Sequence, residues 1–92
     1  MAKRKKKFDV ESLLASITYP TNQIVVYNDT HNSFDWVIGT FMEVLEHNYY
    51  QAEQCANIIH TKGRCVVKEG DIHALNPLLD AIKEKGLTAD II

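Results

Sequence analysis

The sequence predicts an α+β fold, a small single-domain β-α-α-β-α-β sandwich in which a three-stranded antiparallel sheet carries three helices on one face. Two observations lead to this prediction. A chain of 92 residues is short enough for one domain. Three of its segments have apolar residues at helical spacing, and three shorter segments have the composition of strands, with turn residues between them.

The first strand is predicted over residues 22–27, and a helix follows from about residue 33 to residue 46. Either Asn32 or Ser33 is expected to cap this helix, because both side chains can accept a hydrogen bond from its first turn. The apolar residues of the helix recur at intervals of three and four, namely Phe34, Val37, Ile38, Phe41 and Leu45.

A second helix is predicted over residues 49–61, because Asn48 and Gln51 have the spacing of a capping box. Lys62 and Gly63 are expected to end it, since a cation followed by glycine is typical of a helix C-terminus. The expected buried face has unusually small side chains, which let another backbone approach closely. It contains Ala52, Cys55, Ala56 and Ile59.

The second strand is predicted over residues 64–69, and a third helix begins after Asp71. Pro77 is expected either to kink this helix or to restart it with Asn76 as a new cap, because proline lacks the N–H that the helix needs. Residues 87–92 alternate apolar and polar side chains and are predicted to form the third strand.

Residues 1–21 are predicted to be a flexible basic N-terminal extension, and residues 22–92 the folded domain. Residues 1–7 carry five positive charges and no negative charge, whereas the rest of the chain carries five positive and twelve negative charges. No apolar run follows the basic residues as in a secretory signal, and none approaches the roughly 20 residues that span a membrane. Cys55 and Cys65 form no CxxC pair, which favours a reduced, cytoplasmic protein.

The sequence gives little support for a zinc site, an enzyme active site or a nucleic-acid site in the folded part. Cys55, His60 and Cys65 lack a fourth ligand and the spacing of a zinc site. The histidines belong to no motif that pairs them with a nucleophile, and no phosphate-binding loop is present, so neither an enzyme nor a cofactor is predicted. The folded part is acidic, so no nucleic acid is expected there, although the basic arm keeps phosphate contacts open as an alternative.

The polar run from Asn28 to Ser33 has two interpretations. It is either an ordinary loop that caps a helix or part of a site for a cation. If the first strand packs beside the second helix, Asn28, Asp29 and His60 converge, and each can accept a hydrogen bond. His60 is equally well explained as a histidine at a helix C-terminus. The neighbouring apolar residues, Phe34, Val37, Ala56 and Ile59, would suit the bulky first side chain of a polypeptide whose N-terminal amine is captured.

Two segments, "YNDTHNSFDWVI" and "QAEQCANIIHTKGRCVV", resemble ClpS, the adaptor family of the ATP-dependent Clp protease. The core of that family has a strand ending in Asn-Asp-Asp, followed about 30 residues later by a helix ending in His-x-x-Gly and then Lys or Arg. Residues 28–30 and 60–64 match these two motifs. The resemblance covers residues 22–92 and agrees with the predicted order of elements.

The resemblance implies an adaptor and not an enzyme. Such adaptors bind N-degrons, which have a free α-amino group and Phe, Tyr, Trp or Leu as first residue, and deliver them to the N-terminal domain of a Clp-family AAA+ unfoldase. By resemblance, Asn28, Thr30 and His60 would surround the α-amino group, and Asp29 would supply negative charge near it. The side-chain pocket would contain Phe34, Val37, Ala56 and Ile59. A cytoplasmic monomer is expected, with no membrane partner, in which the N-terminal extension assists delivery.

Three positions depart from the family pattern. Thr30 replaces a second Asp that usually contacts the α-amino group, Phe34 replaces a gatekeeping Met, and Ala56 replaces a bulkier residue. Because one wall grows while another shrinks, large flat side chains are expected to enter, and the preference for Leu is expected to change most. The alternative function is a small interaction domain with a basic arm that binds nucleic acid or the ribosome.

Overall fold

The computed structural model describes residues 21–92, so the predicted basic extension lies outside the described residues apart from Thr21. The elements are β1 (Asn22–Tyr27), α1 (Phe34–Leu45), α2 (Tyr49–Lys62), β2 (Arg64–Gly70), α3 (Ile72–Glu84) and β3 (Thr88–Ile91). The predicted β-α-α-β-α-β order is therefore confirmed. No helix in this part of the chain is both long enough and apolar enough to cross a membrane.

The three strands form one antiparallel sheet in the order β2-β1-β3, so β1 is the central strand. Ile24 and Val26 of β1 belong to the buried core cluster, whereas Val25 between them is buried but lies outside that cluster. Because side chains alternate between the two faces of a strand, the core lies on one face of the sheet. Phe41 of α1 and Ile82 of α3 are fully buried there.

Local sequence signals set the ends of α1 and α2. Ser33 caps α1, where its hydroxyl accepts from the Trp36 N–H at 3.1 Å. Asn48 and Gln51 form the predicted capping box, with bonds of 2.8 and 3.2 Å. Gly63 ends α2 with a φ of 94°, a left-handed conformation that glycine adopts without strain.

Helix α3 runs through Pro77 as one element, so of the two expectations at Pro77 the restart at Asn76 is wrong. Asp71 caps the N-terminus of the helix, where its carboxylate accepts from the His73 N–H at 3.0 Å. Proline removes the N–H that would pair with the His73 carbonyl, but both residues are exposed, so water can take its place. Two buried residues, Leu75 and Ile82, hold the helix to the core on either side of the proline.

Candidate functional site

The end of β1 meets the end of α2 through the backbone. The N–H of Asn28 donates to the carbonyl of Gly63 at 2.9 Å. This bond holds the polar loop that follows β1 beside the last turn of α2, which carries His60. The convergence expected from the sequence is therefore present.

A cavity of about 510 Å³ lies between this loop, α1 and α2. Its volume falls in the range of roughly 300–1,000 Å³ that is usual for small-ligand sites. The structure brings together all of the predicted site residues, because the cavity is lined by Asn28, Asp29, Thr30, Phe34, Val37, Ala56, Ile59 and His60. It is also lined by Asn32, for which the sequence indicated only a possible capping role. The binding roles of these residues stay predictions.

Three polar side chains at the cavity are uncommitted. Asn28, Thr30 and His60 are exposed and line the cavity. Within residues 21–92 their side chains form no hydrogen bond. Each side chain can accept one, through an amide oxygen, a hydroxyl oxygen or the unprotonated nitrogen of a neutral imidazole. The cavity therefore has three acceptors that no other group of residues 21–92 uses.

Asp29 differs from these three because folding uses both of its carboxylate oxygens. Oδ1 accepts from the backbone N–H groups of His31 and Asn32 at 3.0 and 3.1 Å, and from the Asn32 side chain at 3.0 Å. Oδ2 accepts from the Asn32 side chain at 3.0 Å and from the Thr88 hydroxyl at 3.3 Å. Burial raises the pKa of Asp29, but these hydrogen bonds outweigh burial and lower the pKa below its usual value. Asp29 is thus a fixed negative charge whose lone pairs are already occupied.

The apolar part of the cavity has a buried wall and an exposed one. Ala56 and Ile59 are 3 % and 5 % exposed, and they share a face of α2 because they are three residues apart. Val37 of α1 is half-buried. Phe34, the first residue of α1, is 40 % exposed and so forms an outer wall. A side chain that enters the cavity would pass Phe34 before it reached Ala56.

The two thiols lie outside the cavity lining. Cys55 and Cys65 are free and partly buried. Burial raises the pKa of both, that of Cys65 to about 12, so both are protonated and poorly nucleophilic at neutral pH. Among residues 21–92 there is no group of three or more His, Cys, Asp or Glu side chains that could hold a metal ion.

Comparison with known proteins identifies the family. A family model described as "ATP-dependent Clp protease adaptor protein ClpS" matches residues 18–90. The chain belongs to the ClpS family. The ClpS match includes every strand and helix of the fold except the last residue of β3, and it confirms the resemblance seen in the two sequence motifs.

A solved ClpS structure shows the same fold. It is that of Agrobacterium tumefaciens ClpS2 bound to L-phenylalaninamide, which aligns with a TM-score of 0.73 and 15% sequence identity. The alignment covers 78% of this chain and 94% of ClpS2. None of the curated proteins compared with this chain matches it.

The sequence did not reveal the groups that surround Asp29. The sequence indicates only a capping role for Asn32 and no role at the site for Gly86 or Thr88. Thr88 lies 59 residues from Asp29 in the chain and reaches it because β3 pairs with β1, with Thr88 opposite Tyr27. The only signal that could have located it is the strand register, which the sequence pattern does not specify.

Proposed function

We propose that this ClpS-family chain binds N-degrons, meaning proteins with a free α-amino group and a bulky first residue (Phe, Tyr, Trp or Leu). It delivers them to a Clp-family AAA+ unfoldase for proteolysis and breaks no bond itself. One observation carries the proposal. Three uncommitted acceptors, on Asn28, Thr30 and His60, stand at an apolar cavity of about 510 Å³.

The polar half of the site suits an ammonium group. An ammonium has three N–H donors, and the three free side chains offer one acceptor each. The ionised carboxylate of Asp29 lines the same cavity and attracts the positive charge, although its lone pairs are occupied. Acetylation of the amine removes both the charge and two of the donors, so an acetylated N-terminus is expected to bind poorly.

The apolar half suits a large first side chain. A cavity of roughly 150 Å³ is sufficient for benzene, so about 510 Å³ accommodates an aromatic ring together with the amine. The ligand of the structurally similar ClpS2, L-phenylalaninamide, combines a free amine with such a ring. This likeness supports the proposal that a Phe residue occupies the cavity here with its ring against Ala56 and Ile59.

The description of the family as protease adaptors supports the proposed delivery. We assign residues 22–92 to the substrate-binding domain and propose that the basic extension, residues 1–21, assists delivery. The expected partner is the N-terminal domain of a Clp-family unfoldase, which the chain meets as a cytoplasmic monomer. Neither nucleic acid nor membrane is required for this activity.

The binding half of the proposal is tested by titrating two peptides that differ only at the N-terminus, one beginning with free Phe and the other with acetylated Phe. The free peptide is expected to bind at least about tenfold more tightly, since a hydrogen bond to a charged group contributes roughly 1.5–3 kcal/mol. His60→Ala is expected to lower the affinity for the free peptide by about tenfold. His73→Ala, at an exposed histidine of α3, is the matched control and should leave affinity unchanged. Equal affinity for the two peptides would refute the amine site.

The alternative function, a basic arm that binds nucleic acid or the ribosome, is favoured by the five positive charges in residues 1–7. Deleting residues 2–7 separates the two functions. The adaptor is expected to keep its affinity for the Phe peptide and to lose only delivery, measured as degradation of a Phe-initiated substrate by the unfoldase and its peptidase. An arm that binds nucleic acid would instead lose salt-sensitive RNA binding on the same deletion.

A further inference from the structure

The side-chain amide of Asn32 connects Asp29 of the candidate site to Gly86 in the turn between α3 and β3. Its Nδ2 lies 3.0 Å from each carboxylate oxygen of Asp29 and 3.0 Å from the carbonyl oxygen of Gly86. Its backbone N–H also donates to Asp29, at 3.1 Å. We propose that Asn32 is a positioning residue of the amine site, which fixes the Asp29 carboxylate and ties the binding loop to the turn between α3 and β3.

The Asp29 carboxylate is held from two sides. The loop itself supplies the backbone N–H groups of His31 and Asn32, and β3 supplies the hydroxyl of Thr88 at 3.3 Å. The Asn32 amide is the group that reaches both oxygens. Without it, Oδ1 keeps the two backbone donors of the loop and Oδ2 keeps only the Thr88 hydroxyl at 3.3 Å, so the carboxylate is held less firmly.

The turn to which Asn32 is tied also holds α1. The indole N–H of Trp36 donates to the Lys85 carbonyl at 2.8 Å, while Asn32 donates to the next carbonyl, that of Gly86. These carbonyls follow the last turn of α3, where backbone acceptors have no helical partner. Asn32 and Trp36 lie two residues before and two residues after Phe34, so the turn fixes both ends of the segment that forms the outer wall.

A simple capping role does not account for Asn32. Ser33 caps α1, and the Asn32 side chain points instead to Asp29 and Gly86. The side chain is half-buried and lines the cavity. The inference rests on the proposed function, because the charge that Asn32 positions is the one offered to the ammonium.

A double-mutant cycle tests whether Asn32 acts through Asp29. The affinity for the free Phe peptide is measured for wild type, Asn32→Ala, Asp29→Asn and the double variant. Each single change is expected to weaken binding about tenfold, and the double variant no more than about tenfold, because groups in one network are not additive. Asn76→Ala, at an exposed asparagine of α3, is the control and should bind like wild type. Additive losses of about a hundredfold, or an Asn32→Ala variant with unchanged affinity, would overturn the inference.

A second measurement does not depend on peptide binding. The carboxyl carbon of Asp29 is titrated by NMR in wild type and in Asn32→Ala, and the pKa of Asp29 is expected to be higher in the variant. An unchanged pKa of Asp29 would overturn the positioning role. His60 is the other titratable residue that lines the cavity, and reading the signal at Asp29 itself separates the two.

These two measurements distinguish the inference from the function on which it rests. A wild-type protein that fails to bind the free Phe peptide refutes the proposed function, while the titration still decides whether Asn32 holds Asp29. If Asn32→Ala does not fold, Asn32→Ser takes its place. Its single hydroxyl cannot reach both Asp29 and Gly86, so it is expected to show the same changes in smaller degree.

Discussion

Thr30 places an uncharged hydroxyl at the cavity where the ammonium of a ligand would lie. Replacing it by Asp puts a carboxylate beside the two other free acceptors, Asn28 and His60, without altering the apolar wall. Thr30 is exposed, so the new side chain can be accommodated at the rim. We expect Thr30→Asp to bind the free Phe peptide more tightly than wild type.

The magnitude follows from two opposing effects. A hydrogen bond between an ammonium and a carboxylate contributes roughly 1.5–3 kcal/mol, whereas an exposed ion pair contributes only about 0–1 kcal/mol. Because position 30 lies at an exposed rim, the gain in binding free energy is expected between these two ranges, at about 1.5 kcal/mol. The neighbouring Asp29 is ionised and repels a second carboxylate, which keeps the gain from being larger. The expected result is an affinity about tenfold higher.

The assay is calorimetric titration of the Phe peptide at about pH 7.5, at ionic strengths of about 0.05 M and 0.5 M. The advantage of Thr30→Asp should shrink at the higher salt, because exposed charges are screened. Thr30→Asn is the matched control, since it has nearly the shape of Asp without its charge. The reasoning would be refuted if Thr30→Asn bound as tightly as Thr30→Asp, or if Thr30→Asp bound no better than wild type.

Two other substitutions test the walls and the loop. Ala56→Met extends a side chain from a residue that is 3 % exposed and lines the cavity. The affinity for a peptide that begins with Trp, relative to one that begins with Leu, should fall about tenfold, since one misfitted methylene in a pocket changes binding by roughly 1–3 kcal/mol. An unchanged ratio of these affinities would show that the first side chain binds elsewhere. The pKa of Asp29 is lower in the folded protein than in the unfolded chain, where it is about 3.9. The ionised carboxylate therefore stabilises the fold above about pH 3.9, and this stabilisation is lost as the pH falls through the pKa of Asp29 in the folded protein. Asp29→Asn should therefore melt about 5–10 °C below wild type at pH 7, and the difference should shrink below about pH 4; a difference that is constant with pH would contradict this.

Local chemistry made most of the fold predictable. The Asn48–Gln51 capping box and the glycine at position 63 act within one helix turn, so their sequence spacing is sufficient to place the helix ends. Pro77 is the opposite case, because burial of residues on both sides of it outweighs its local preference. Sequence patterns record local preference better than they record tertiary packing.

The candidate site was predictable in its members but not in its internal bonds. The two motifs around Asn28 and His60 indicated which residues converge, and the cavity contains them. The contacts of Asn32 with Gly86 and of Asp29 with Thr88 span 54 and 59 residues. Such contacts depend on how β3 pairs with β1, and no residue pattern within the polar loop encodes that register.

The polar side chains at the cavity are of two kinds, those that support the fold and those that are free to bind a ligand. Asn28, Thr30 and His60 are exposed, so water satisfies them without a ligand, and leaving them uncommitted costs the fold little. A partly buried carboxylate is different, because it must find donors to remain ionised, and Asp29 obtains them from Asn32, Thr88 and its own loop. A second carboxylate at position 30 would be exposed, so water would hydrate it in the free protein, and a ligand ammonium would replace that water in the complex. With Thr30, the ammonium is attracted mainly by hydrogen bonds and by the single fixed charge of Asp29. Added salt is therefore expected to weaken peptide binding less in the wild-type protein than in Thr30→Asp.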